Sequence, residues 1–227
     1  MLEFYLLRHG QTLYNLNDHV QGFNDSPLTA KGLYQARCTG YGLRDTIFTK
    51  AYSGLCERQL DTARTFLSQN RQPLTIIPDI HFNEMNYGKY QDGSYYDMLM
   101  PLYDDLGLPY NSYQGLLEHY DHLTLATILK EKDETGQTEG PQACAQRFLE
   151  GLGKLVKENK NGKILIATSS LVIGATAHEI DPSLDMSTLV ENASISIITY
   201  DGNYHLSDYN NISYRQSGEA HFNNDTL

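Results

Sequence analysis

Phe4-Tyr5-Leu6-Leu7-Arg8-His9-Gly10-Gln11-Thr12 carries an apolar run straight into a basic residue, an imidazole and a glycine. A short run stopped in this way reads as a buried strand that delivers a polar turn to the edge of a sheet. In open α/β sheets ligands bind outside the carboxyl ends of the strands. His9 is therefore expected at that edge, held by rigid backbone and free to act as a nucleophile. Arg8 beside it offers a fork of donors suited to a phosphate, and its fixed charge favours the neutral ring.

Working outward, Ser26-Pro27 marks a turn, and Thr29 is placed to cap a helix whose apolar positions Leu33, Ala36 and Leu43 recur at helical spacing. A second strand is predicted over residues 51–53, then a helix over 57–69 with Leu60, Ala63 and Leu67 on one face. Arg58 falls in the first turn of that helix, where the dipole disfavours a cation unless an anion is near. A third apolar run, Leu74 to Ile77, stops at Pro78. Pro141 opens the longest helix, with Ala145, Phe148, Leu149, Leu152, Leu155 and Val156 along one face, and Asn161-Gly162 closes it. Lys163 to Thr168 reads as a central parallel strand buried on both faces, and Ser194 to Tyr200, Asp201-Gly202 and Tyr204 to Asp208 as a hairpin. This alternation gives an α/β fold, a three-layer α/β/α sandwich with a mainly parallel central sheet. From Asn210 onward the chain is polar and aperiodic, and is expected to lie over the surface or fray.

Residues 5–36, YLLRHGQTLYNLNDHVQGFNDSPLTAKGLYQA, resemble the opening of the histidine phosphatase superfamily, which includes the phosphoglycerate mutases and many broad phosphatases. Arg8-His9-Gly10, Asn15, Gln21-Gly22 and Leu28-Thr29-x-x-Gly32-x-x-Gln35-Ala36 occur in the family's order. The resemblance implies a phosphoglycerate mutase-like fold, one domain over residues 1–227 with a lid insertion at 94–140. It makes His9 the residue that becomes phosphorylated, and Asn15, Gln21 and Gly22 substrate-binding. Residues 51–63, AYSGLCERQLDTA, resemble the family's second signature, which implies that Arg58 reaches back to the phosphate. Asn83-Glu84-Met85-Asn86-Tyr87-Gly88 resembles its Glu-x-x-aromatic-Gly element and makes Glu84 the general acid, a role that needs burial or a neighbouring dianion. Gln91-Asp92-Gly93 departs from the Glu-Gly that often follows. Arg147 matches a structural arginine, and Asn192-Ala193-Ser194 the segment before the late strand.

A larger departure lies at the end of the central strand. There the family carries Ser-His-Gly, its second histidine facing the first across the phosphate, whereas this chain has Thr168-Ser169-Ser170. Losing one such donor costs about 2.7–4 kcal/mol, roughly 100- to 1000-fold in rate. Ser169 and Ser170 are carried over as substrate-binding, with the Ser169 hydroxyl as a weaker neutral donor, acting through water. On that reading Ser169→His alone should raise the rate. His178, His205 and His221 are other candidates for the missing imidazole.

From Gln91 to Leu129 there is no lysine or arginine, against Asp92, Asp97, Asp104, Asp105, Glu118 and Asp121. A mutase must hold a second anionic group, so this cation-free insertion favours a phosphatase over a mutase. Tyr95, Tyr96, Tyr103, Tyr110, Tyr113 and Tyr120 suggest either an aromatic or neutral leaving group, or a packing surface or homodimer contact. His119-Tyr120-Asp121-His122 reads as surface histidines in preference to a metal pair. Two functions stay open: a weak or specialised phosphomonoesterase acting through a phosphohistidine on His9, and a phosphate-binding or regulatory pseudoenzyme that keeps the Arg8/Arg58 clamp. Neither calls for a metal or cofactor, and either takes a small phosphorylated metabolite as partner.

Composition agrees. An apolar content of 40% with 11% aromatic residues supports a sizeable core. The net charge of -11, with no lysine or arginine cluster, argues against nucleic acid or an acidic membrane as partner. Cys38, Cys56 and Cys144 are expected to be buried thiols in a reducing compartment, with the cytoplasm as default. The first strand starts almost at Met1, which leaves no room for a signal segment, and no apolar run is long enough to span a bilayer.

Overall fold

The computed structural model describes residues 1–71 and 73–224. In chain order the elements begin β1 (Leu2–Arg8), α1 (Leu13–Leu16), α2 (Ala30–Gly42), β2 (Lys50–Ser53), α3 (Glu57–Leu67) and β3 (Ile76–Pro78). Then come α4 (Tyr95–Leu106), α5 (Tyr113–Leu116), α6 (His122–Glu131) and α7 (Pro141–Glu158). The chain continues through β4 (Gly162–Thr168), α8 (Ser170–Ile180), β5 (Ile195–Tyr200), β6 (Tyr204–Asn211) and α9 (Ser213–Asn224).

The strands form one sheet in the order β3-β2-β4-β1-β5-β6. β1, β2, β3 and β4 run parallel, and β5 returns antiparallel to β1 before pairing with β6. Side chains alternate between two buried faces, as a central strand requires. Phe4, Leu6, Ile164 and Ile166 pack against α7 and α8, whereas Tyr5, Leu7, Leu165 and Ala167 meet α3 and Tyr214 of α9. The three-layer α/β/α sandwich expected from the sequence is therefore present. Because β1, β2 and β4 are parallel, Arg8 pairs in register with Thr168 and Ser53 with Ala167, so their carboxyl ends share one edge.

Three expectations change. Residues from Asn210 onward continue β6 and then form α9 through Asn224, packed on α2, in place of a loose tail; residues 225–227 lie outside those described. Glycine makes that packing possible: a Cβ at Gly218 would sit 2.1 Å from the Cys38 carbonyl oxygen, and one at Gly42 would sit 2.1 Å from that of Tyr214. For the same reason α2 buries Gly32, Ala36 and Gly40, and Leu33, expected on the buried face, is exposed. The stretch after Gly93 is more regular than its sequence suggests, because Met98, Leu99, Leu102 and Tyr103 line a buried helical face despite Pro101. With Val20, Leu116, Leu125 and Leu129 they form a separate apolar cluster beside the sheet edge. All three cysteines are free and buried, and no helix among the described residues is long and apolar enough to cross a membrane.

Candidate active site

The polar turn after β1 is built against α2. A Cβ at Gly10 would lie 2.3 Å from the Gly32 carbonyl oxygen, so glycine is needed at both positions for the turn to seat on the helix. The β1–β4 ladder extends one residue further, with His9 N–H donating to the Thr168 carbonyl at 2.9 Å. His9 is buried, and its Nδ1 lies 2.8 Å from the Gly10 carbonyl oxygen. A carbonyl only accepts, so Nδ1 carries the proton and Nε2 keeps its lone pair. Burial, then the charges of Arg58 and Arg8, hold the His9 pKa well below its ordinary value. The ring is neutral at pH 7.

Both arginines are anchored from behind. Arg8 donates through Nη1 to the Val190 carbonyl, and burial lowers its pKa against the opposing charge of Glu84. Arg58, 1% exposed, donates to the Asn24 carbonyl at 2.6 Å and the Gly22 carbonyl at 2.7 Å, and pairs with Asp25 at 3.1 Å. In each guanidinium Nε is buried without a hydrogen-bond partner. A buried N–H left unpaired is costly, and an arriving anion would relieve it. Thr62 ties the two turns together, accepting from Gly10 N–H at 3.0 Å and donating to the Arg58 carbonyl at 2.6 Å.

Glu84 is placed by two devices. Arg147 donates to the carbonyls of Ile80, His81, Asn83 and Glu84 while paired with Glu139 at 2.9 Å, which fixes the loop backbone. The Glu84 carboxylate caps α8: Oε1 accepts from Val172 N–H at 3.0 Å and Met85 N–H at 2.8 Å, and Oε2 from Leu171 N–H at 3.2 Å. Oε2 is the less engaged oxygen.

One cavity of about 60 Å³ is lined by Arg8, His9, Asn15, Gln21, Gly22, Arg58, Glu84 and Ser170. These sequence-derived site residues thus meet in three dimensions. The exception is Ser169. It is fully buried and does not line the cavity; its Oγ accepts a 2.9 Å hydrogen bond from Gln59 Nε2. Its expected role as a donor in the cavity is therefore not met, because the side chain is buried against Gln59 and does not line the cavity. His178, His205 and His221 do not line the cavity either.

Several residues at the site had no role assigned from sequence. Tyr87, Tyr95, Tyr113, Met98 and Leu189 complete the lining. Asn192 donates to the His9 carbonyl at 3.0 Å and holds the turn from the far side. Burial raises the pKa of Tyr87, Tyr95 and Tyr113, so these phenols stay protonated. The tyrosine series divides: Tyr95 and Tyr113 face the cavity, whereas Tyr110 packs against Tyr96 and Tyr103 at 4.7 and 5.3 Å. His122, expected at the surface, is 1% exposed, because it stacks on Tyr113 at the start of α6.

Comparison with known proteins agrees with this architecture. A 2,3-bisphosphoglycerate-dependent phosphoglycerate mutase of Gloeobacter violaceus is 37% identical over 87 residues, which span 38% of this chain and 40% of that protein. The solved structure of a phosphoglycerate mutase from Bacillus anthracis superposes with a TM-score of 0.86 at 29% identity, covering 96% of each chain. The α-ribazole phosphatase of Shigella flexneri shares the fold, with a TM-score of 0.67 at 23% identity over 92% of this chain and 96% of its own. The family model of the histidine phosphatase superfamily (branch 1) matches residues 4–212, and the chain belongs to that superfamily.

Proposed function

We propose that the chain is a phosphomonoesterase that works through a phosphohistidine on His9, with turnover lowered by serine at position 169. The observation that carries this reading is the neutral imidazole set in one cavity with two arginine Nε groups that lack partners. The guanidiniums take the phosphoryl oxygens, and His9 Nε2 attacks phosphorus as the bond to the leaving oxygen breaks. Glu84 Oε2 relays to that oxygen a proton that the phosphate ester brings in as its monoanion. Water then attacks the phosphohistidine, Glu84 takes a proton from the water, and phosphate leaves with His9 restored.

Phosphatase is favoured over mutase by the lining itself. Among the described residues around the cavity the cations are Arg8 and Arg58, both spent on one phosphoryl group. A second phosphate or carboxylate would meet tyrosine, methionine and leucine, which suits a neutral or aromatic leaving group. Since a single water needs about 10–15 Å³, a cavity of about 60 Å³ admits a phosphoryl group and little else. Residues 94–140 therefore act as a lid that opens for the leaving group. The pseudoenzyme reading draws on Ser169, which does not line the cavity.

Assay of p-nitrophenyl phosphate and of alkyl phosphates, with His9→Ala as control, tests the proposal, together with phosphate binding by calorimetry. Turnover that His9→Ala abolishes supports the phosphatase. Phosphate binding with no turnover above that control would leave the pseudoenzyme.

A further inference from the structure

The segment between α8 and β5 touches the site along its length. Leu189 lines the cavity, the Val190 carbonyl accepts from Arg8 Nη1, and the Asn192 amide donates to the His9 carbonyl at 3.0 Å and approaches Asn15 Oδ1 at 3.4 Å. Ala193 N–H donates to the Arg8 carbonyl at 3.1 Å. Its φ of 55° lies in the left-handed region, which a residue other than glycine keeps only where its surroundings fix it. Those surroundings come from other elements. Thr39 Oγ1 of α2 donates to the Ala193 carbonyl at 2.7 Å, Asn210 Oδ1 of β6 accepts from Glu191 N–H at 2.6 Å, and Arg215 Nη1, in the first turn of α9, donates to the Asn192 carbonyl at 2.6 Å. The Arg215 side chain is 13% exposed, with Glu219 at 3.4 Å and Glu191 at 4.0 Å. A charged donor makes that bond about twice as strong as a neutral one would.

Resting on the reading above of His9 and the two guanidiniums as a phosphoryl site, we infer that Arg215 is a positioning residue that holds the His9 imidazole in register with a bound phosphoryl group. Arg215 does not line the cavity. It acts through Asn192: by fixing the Asn192 peptide it aims the amide that grips the His9 carbonyl, and α9 becomes part of the frame of the site. The Arg58 half of the anion clamp is anchored elsewhere, on Gly22, Asn24 and Asp25. Losing Arg215 therefore displaces the imidazole and leaves that half of the clamp in place.

Arg215→Met keeps the aliphatic stem and removes the donor. Since a misplacement of about 1 Å costs roughly 100-fold in rate, kcat on p-nitrophenyl phosphate should fall about ten- to 100-fold, while KM and the Kd of inorganic phosphate change by about threefold at most. Orthovanadate, a five-coordinate mimic that takes an axial nitrogen from His9, should weaken by as much as kcat falls. Arg215→Lys, which still donates, should recover most of the rate. Asn192→Ala should lose as much as Arg215→Met, and the double variant no more. Phe222→Ala removes the α9 ring that packs on Tyr41 at 5.3 Å and under Arg37 at 4.2 Å, and should lower Tm with kcat unchanged. A folded Arg215→Met with the kcat and vanadate affinity of the wild type, or an equal loss of kcat in Phe222→Ala, would overturn the assignment. Should Arg215→Met fail to fold, hydrogen exchange on the wild type decides it: coupling is reciprocal, so vanadate should slow exchange of the Gln216 amide, bonded to the Ile212 carbonyl at 3.0 Å, and unchanged exchange there would overturn it. The placement of His9 can be read without turnover. An inactive wild type in which Arg215→Met weakens vanadate but not phosphate would sink the phosphatase reading and leave this one standing.

Discussion

Ser169→His, the change that the family resemblance suggests first, is expected to fail alone and succeed with a partner. Gln59 and Ser169 are both fully buried and joined at 2.9 Å, so an imidazole grown from 169 along the present side-chain direction would meet the Gln59 amide. Gln59 has no room to retreat: a Cβ built on Gly54 would lie 2.0 Å from its Oε1, and its Nε2 also approaches the Phe82 carbonyl at 3.4 Å. The single variant overfills the site at a cost of about 1–3 kcal/mol and breaks a buried hydrogen bond worth about 1 kcal/mol. For a chain of this size that lowers Tm by several degrees, and the rate on p-nitrophenyl phosphate does not rise. Gln59→Ala removes about as much side chain as Ser169→His adds. The double variant should therefore recover stability and gain rate, up to the roughly 100- to 1000-fold that one well-placed donor supplies. Thermal unfolding and steady-state kinetics on the two single variants and the double complete the cycle. A single Ser169→His variant as stable and as fast as the double would refute the steric argument; a stable double with unchanged rate would refute the donor argument.

Two further predictions concern the chemistry. Glu84→Gln removes the acid and the base but keeps an amide oxygen for the α8 N–H groups; with alkyl phosphates kcat should fall about 100- to 10,000-fold. p-Nitrophenolate leaves without a proton, so stopped-flow mixing should show a burst of it followed by slow turnover as phosphohistidine accumulates, and equal losses on both substrates with no burst would count against Glu84. The acid limb of kcat/KM follows His9, whose nucleophilic form is lost as pH falls through a pKa that burial, Arg58 and Arg8 hold below 6.5. Activity should thus persist unchanged down to pH 6.5. Folding stability obeys the same sign: an unfolded histidine takes its proton near 6.5 and the buried rings take theirs lower, about 4 for His122, so their contribution is present above 6.5 and lost as pH drops toward those values. An acid limb above pH 7, or stability that rises on acidification through this window, would contradict the burial of these rings.

Much of the fold was legible because the central strands bury both faces and the helices carry strong end signals. Lys163 to Thr168 and Pro141 speak for themselves as a continuous apolar strand and a helix start. The helices that escaped notice lack one of these marks. α9 buries little apolar side chain and docks through Gly218 and Gly42, so its attraction to α2 lies in backbone proximity and ring stacking, such as Tyr41 on His221 at 3.9 Å, neither of which gives a hydrophobic period. In α4, Pro101 hides a helix that Ser94 caps and four buried residues support.

At the site, legibility stops where one side chain's meaning depends on another far away in the chain. His9, Arg8 and Arg58 each stand at the end of an element, and the parallel order of β2, β4 and β1 suffices to bring those ends together, while Glu84 arrives on the loop after β3 that Arg147 fixes. Ser169 stands at such an end too, and on that ground alone it belongs in the cavity. It lies instead behind the lining, against Gln59, 110 positions earlier, whose amide is long enough to reach the hydroxyl from the first turn of α3. Neither residue shows any signal of the pairing, since serine at a helix N-terminus and glutamine in a first turn are both ordinary. The same holds for Tyr113 and His122, which read separately as a lid aromatic and a surface imidazole and are paired by a 2.8 Å contact beside an apolar cluster. Element ends can be read from local sequence because backbone geometry fixes them; pairings between buried polar side chains cannot, because they depend on which volumes the finished packing leaves over.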